Sequence, residues 1–174
     1  MRWFIFPLLA VVLLAGARPD KVKKPKDIIG ITSVDSMLER EEFAEAYEDV
    51  CLEPELVQRW GAIETPCALV VVFGSWCGDS HRWVPHAIRL AGEQNPFVAF
   101  HWIGVPKSKK TNKVDWPEQS IPQKTKKVPT FWLFTPTPGG GTKLAGSIVE
   151  NPPKAGQGMA EALVEMVEAV NSCQ

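Results

Sequence analysis

The spacing of apolar positions along the chain changes period several times, and each change marks an element. Over residues 35–50 the side chains Met37, Leu38, Phe43, Ala44, Ala46, Tyr47 and Val50 recur at helical spacing with acidic residues between them, which predicts an amphipathic helix. Residues 53–63 predict a second, shorter helix, with Pro54 suited to the first turn, where its missing N–H is not needed. Cys67–Phe73 reads Cys-Ala-Leu-Val-Val-Val-Phe, a continuous and largely β-branched run of the kind a strand covered on both faces requires. Gly74-Ser75 breaks that run, and residues 80–90 regain helical character with Trp83, Ala87, Ile88 and Leu90 available for packing. The central strand is therefore expected to deliver Cys77 to a helix N-terminus.

Residues 97–105 form a second apolar run, whereas 106–127 are polar, lysine-rich and read as a loop with at most a short helix. Residues 130–134 and 143–149 are strand-like and are joined through Pro136-Thr137-Pro138-Gly139-Gly140-Gly141, which predicts an antiparallel pair. Residues 157–170 close the chain as a helix with Met159, Leu163, Met166, Val167 and Val170 at helical intervals. Strand, helix, strand, long connection, hairpin and helix in that order fit a three-layer α/β/α sandwich around a mixed central sheet, because right-handed crossovers join parallel strands and a short Gly-rich turn forces an antiparallel one.

The first residues are set apart. Arg2 precedes an apolar run over 3–14 that ends in Ala15-Gly16-Ala17, the pattern of a secretory signal cleaved after Ala17. The run is shorter than the roughly 20 residues a bilayer span needs, and Pro7 interrupts it. A secreted or periplasmic protein with no stable membrane span follows, with residues 1–17 as signal peptide. Residues 18–33 follow as a basic linker carrying Lys21, Lys23, Lys24 and Lys26, too polar to order itself. One domain over 34–174 is then expected, with a helical extension at 34–63; 174 residues suit one core rather than two.

Apolar residues make up 45% of the chain, charged residues 22%, and the formal net charge is −1, so a nucleic-acid partner is not implied. Export changes the reading of the four cysteines, Cys51, Cys67, Cys77 and Cys173, since disulfides persist outside the cytosol. None forms a C-x-x-C pair and only three histidines are present, so neither a zinc cage nor another metal or cofactor is expected. A Cys51–Cys67 disulfide is the best pairing, with free thiols as the alternative and Cys67 suited to a buried core position. His86 and His101 lie within a helix and a strand and suit packing or surface roles, and Trp60, Trp102 and Trp132 suit the core or its rim.

Cys77 is the candidate reactive thiol, because unpaired N–H groups and the dipole at a helix N-terminus favour thiolate over thiol. Ser80 falls one turn on, where its hydroxyl is placed to donate to the sulfur anion, while the charge of Asp79 opposes the effect. Phe73-Gly74-Ser75-Trp76-Cys77-Gly78-Asp79-Ser80 followed by Pro85, and then Val128-Pro129-Thr130-Phe131, resembles the thioredoxin superfamily over residues 68–170. The resemblance implies a thioredoxin-like fold in which Trp76 shields the reactive sulfur, Pro85 kinks the following helix and Pro129 is cis and faces Cys77. Val128 then becomes the residue on which an extended peptide docks, with Trp76, Gly78 and Asp79 lining the same groove.

The departures from the dithiol pattern are informative. Ser80 stands where a second cysteine would resolve a mixed disulfide, and the strand near Val71 lacks the buried carboxylate that assists that second thiol. A monothiol C-x-x-S protein is expected, with Cys77 and Ser80 as the catalytic pair and thiol–disulfide exchange or isomerisation of exported proteins, or reaction with a low-molecular-weight thiol, as its chemistry. The alternative is a redox-inactive module that holds polypeptide beside Pro129. Iron–sulfur carriage of the monothiol glutaredoxin kind is disfavoured by the different motif and by export.

Overall fold

The computed structural model describes residues 26–117, 120 and 122–171. The expected signal sequence, most of the expected linker and Cys173 lie outside the described residues.

Strand β2, Cys67–Phe73, is the centre of a five-stranded sheet. It pairs in parallel with β3, Val98–Gly104, on one side and antiparallel with β4, Thr130–Pro136, on the other. Strand β5, Thr142–Val149, extends the sheet beyond β4 with a bulge at Leu133/Phe134. The far edge is β1, Gly30–Thr32, antiparallel to β3, so the order is β1-β3-β2-β4-β5. The mixed sheet and the hairpin are as the sequence predicts. The edge strand β1 is not, since 30–32 were expected within the linker.

Among the described residues five helices supply one core. Helices α1 (Val34–Leu38), α2 (Glu41–Glu48), α3 (Pro54–Gly61), α4 (Gly78–Gly92) and α5 (Met159–Asn171) send Met37, Phe43, Trp60, Val84 and Leu163 against Leu69, Val71 and Phe73 of β2. The alternate residues Val70 and Val72 enter a second cluster with Ile103, Trp116, Val128 and Phe134. That is why β2 carries no polar residue: alternate side chains point to opposite faces, and both faces are covered. The α/β sandwich is present, with its second covering layer built from the polar segment after β3 and one 3-10 turn, Lys113–Asp115.

The single helix expected over 35–50 is two. Arg40 is extended, with φ −94° and ψ 123°, and begins α2, while its guanidinium donates to the carbonyl of Lys26. Glu41 and Glu42 then occupy the first turn of α2, where they complement the helix dipole. The break lets the chain before β1 lie beside α2.

The expected Cys51–Cys67 bridge is absent: both sulfurs are free thiols. Cys67 faces the helical core at 8% exposure, whereas Cys51 is exposed beyond α2. Burial alone accounts for Cys67, whose thiol is pushed up to about 11.

Candidate functional site at the N-terminus of helix α4

Strand β2 ends at Phe73, and the chain turns through Gly74-Ser75-Trp76 before Cys77 caps α4 with extended backbone, φ −106° and ψ 121°. The turn is closed by the Cys77 N–H donating to the Gly74 carbonyl at 2.9 Å. Gly74 is needed there for space, because a Cβ on it would fall 2.7 Å from the Trp76 ring. Trp76 covers the turn and is pinned by its indole N–H, which donates to the Val105 carbonyl at 2.9 Å.

Cys77 is half-buried, and its Sγ donates to the Val128 carbonyl at 3.3 Å. The Val128–Pro129 bond is cis, and Pro129 is in turn held by the Glu150 N–H, which donates to its carbonyl at 2.8 Å. The sequence-predicted residues Trp76, Cys77, Val128 and Pro129 are thus brought together, although 51 positions separate the sulfur from its carbonyl partner. Gly78 and Asp79 are exposed at the start of α4 beside them, and Pro85 lies within the helix as expected.

Ser80 departs from expectation. It is fully buried, and its Oγ accepts the Gly74 N–H at 3.2 Å. It has no hydrogen bond to Cys77, whose sulfur is engaged with Val128 instead. The oxygen of Ser80 thus satisfies a backbone donor of the turn that carries the thiol, a structural role that the sequence did not suggest.

Two further groups brace that turn. The Ile28 N–H donates to Ser75 Oγ at 2.9 Å, and His81 Nε2 donates to the Ser75 carbonyl at 2.9 Å while its ring packs edge-on against Phe43. The first was missed because 26–29 read as linker; the run Ile28-Ile29-Gly30-Ile31-Thr32 was the available strand signal. His86 packs by Trp83, and burial together with Arg82 holds it below the usual histidine range. His101 is likewise lowered by burial. Trp60 and Trp102 are buried. Among the described residues no three His, Cys, Asp or Glu side chains gather into a group that would hold a metal ion, and no helix is long and apolar enough to cross a membrane.

A thiol capping a helix, opposite a cis X-Pro bond at the end of a neighbouring strand, in a mixed β-sheet of this order, defines a thioredoxin-like protein. A family model described as Thioredoxin matches residues 32–163, and the chain belongs to that family. Among solved structures, a protein of unknown function from Pseudomonas aeruginosa is similar at 17% identity and a TM-score of 0.54, covering 82% of this chain and 88% of that one. An HIV epitope scaffold is similar at 15% identity and a TM-score of 0.53, covering 80% of this chain and 87% of its own. At these identities the likeness is one of fold. No curated protein matches the chain.

Proposed function

We propose that this protein carries out thiol–disulfide exchange through Cys77 alone, as an exported monothiol protein acting on thiols or disulfides of other exported proteins or of a low-molecular-weight thiol. The observation that carries this reading is the position of Cys77 Sγ, half-buried at the N-cap of α4 and 3.3 Å from the Val128 carbonyl. In the exchange, the deprotonated sulfur attacks one sulfur of a substrate disulfide. A new Cys77–substrate S–S bond forms, the old S–S bond breaks, and the second substrate sulfur leaves as thiolate and takes a proton from solvent. Once Cys77 is disulfide-bonded it no longer donates to Val128, so that carbonyl is open to an N–H of an extended substrate.

Ser80 has no thiol with which to resolve the mixed disulfide, so release falls to the substrate's own second thiol or to an external one. Isomerisation suits that arrangement, because a substrate cysteine freed in the first step performs the second. Export is supported by Arg2, the apolar run over 3–14 and Ala15-Gly16-Ala17. The competing reading is a groove that holds polypeptide without exchange; the buried Ser80 oxygen, which accepts a backbone N–H of the turn, suits it equally.

Trapping separates the two. Wild-type protein recovered from the exporting cell after acid quench is expected to carry Cys77 in mixed disulfides, identified by mass spectrometry, and Cys77→Ala is expected to carry none. Equal trapping by Cys77→Ala, or peptide binding with no adduct at Cys77, favours the holding module.

A further inference from the structure

We infer that the groove beside Cys77 selects acidic polypeptide, meaning cysteine-bearing segments flanked by Asp or Glu. The inference rests on the exchange reading above and names its substrate class. Residues 106–127 hold seven lysines against Asp115 and Glu118, while the whole chain has a net charge of −1, so positive charge is concentrated in one segment. Both ends of that segment meet the site. It leaves β3 just after Val105, whose carbonyl takes the Trp76 indole N–H, and it ends at Val128, whose carbonyl faces Cys77 Sγ.

Two of its lysines stand at the approach. Lys109 is held at φ 57°, in the left-handed region, with its Nζ 5.7 Å from the centre of the Trp76 ring. Lys107 lines a cleft of about 390 Å³ with Ser75, Trp76 and His81, and the far side of that cleft carries Asp27, Glu42 and Arg40. On the other side, Lys127 pairs with Glu150 at 2.5 Å and also senses the charge of Asp79. Lys127 thereby answers Glu150, and Asp79 is the carboxylate left exposed on that rim. Lys107, Lys109, Lys110, Lys124 and Lys126 make no salt bridge among the described residues. Ammonium groups such as those of Lys107 and Lys109 raise the local concentration of an anionic segment and steer its approach, and the Trp76 face adds a cation-binding surface that keeps Lys109 at the groove.

The test uses three peptides identical except for the residues flanking one cysteine, which are Asp/Glu, Asn/Gln or Lys, each activated as its 2-thiopyridyl disulfide. Attack by Cys77 forms the Cys77–peptide disulfide and releases pyridine-2-thione with the proton, read by absorbance, and mass spectrometry assigns the adduct to Cys77. The acidic peptide is expected to react about 10-fold faster than the neutral one at low salt, the ratio falling toward unity in about 0.5 M NaCl. Lys107→Gln with Lys109→Gln should lower the acidic-to-neutral ratio to below about 3, and Lys107→Arg with Lys109→Arg should keep it. Equal rates for the three peptides, a faster basic peptide, or a ratio unmoved by the Gln pair overturns the inference alone. A Cys77 that reacts with none of them, nor with the small neutral 2,2′-dithiodipyridine, overturns the exchange reading and this inference with it.

Discussion

Replacing Ser80 by alanine tests whether its hydroxyl belongs to the backbone or to the sulfur. Ser80 is 0% exposed and its Oγ is the acceptor for the Gly74 N–H, itself buried where β2 ends. Alanine fills nearly the same volume, so packing changes little, but Gly74 loses its partner in a place water does not reach. Stranding a buried N–H costs about 1–3 kcal/mol, and the 3.2 Å separation is long for an N–H donor, which places the expected loss near 1–2 kcal/mol. For a domain of this size that lowers the midpoint of thermal unfolding by roughly 2–4 °C per kcal/mol. Urea unfolding should show the same loss as a lower midpoint with an unchanged slope. The reasoning is refuted if stability stays within about 0.3 kcal/mol of wild type while the rate of Cys77 with a neutral disulfide falls about 10-fold. The hydroxyl would then serve the sulfur.

Three other expectations follow from the buried and paired groups. With Cys67 buried and its thiol pushed up to about 11, iodoacetamide at about pH 8 should modify Cys51 and Cys77 in the folded protein and leave Cys67 untouched until denaturant is added; early labelling of Cys67 by mass spectrometry would contradict its placement. His86 and His101 are held below the ordinary histidine value of 6.5, so the unfolded chain takes up protons first; stability should be full above that value and be lost as pH falls through it, and His86→Gln with His101→Gln should flatten urea midpoints measured over that window. The Glu165 carboxyl is held below its usual 4.5 chiefly by Lys154 and Gln157, so its contribution is present above that value and disappears in more acid solution, and Glu165→Gln should remove that part of the acid limb without moving the histidine window.

Much of the architecture is legible in the residues because the strongest signals are local. The unbroken run over Cys67–Phe73 had to be covered on both faces, and Val70 and Val72 enter one cluster while Leu69 and Val71 enter the other. The Gly-rich turn before Thr142 had to reverse the chain, and β4 and β5 are antiparallel. What was illegible depends on partners distant in sequence. Gly30–Thr32 is a strand only because β3 offers an edge to it, and its three residues carry too little periodicity to compete with the lysines before them. Arg40 breaks a helix that its neighbours favour, and its guanidinium is spent on the carbonyl of Lys26. The site was readable in its chain order, Trp76-Cys77 and then Val128-Pro129, but the partner of the Ser80 hydroxyl was not. A serine three residues into a helix has an oxygen that accepts as well as an O–H that donates, and only the geometry of the Gly74 turn reveals which N–H the oxygen takes.

The edge strand has an outcome for whatever lies upstream of it. Gly104 admits the Ile28 backbone so closely that a Cβ there would collide with it, Ile28 is tied to Ser75, and Asp27 borders the Trp76 cleft. A label, fusion partner or surface joined to the chain ahead of Lys26 is thus delivered to the thiol's own side of the molecule, and a bulky one there would compete with incoming substrate for approach to Cys77, whereas the same cargo fused after α5 hangs from a different element.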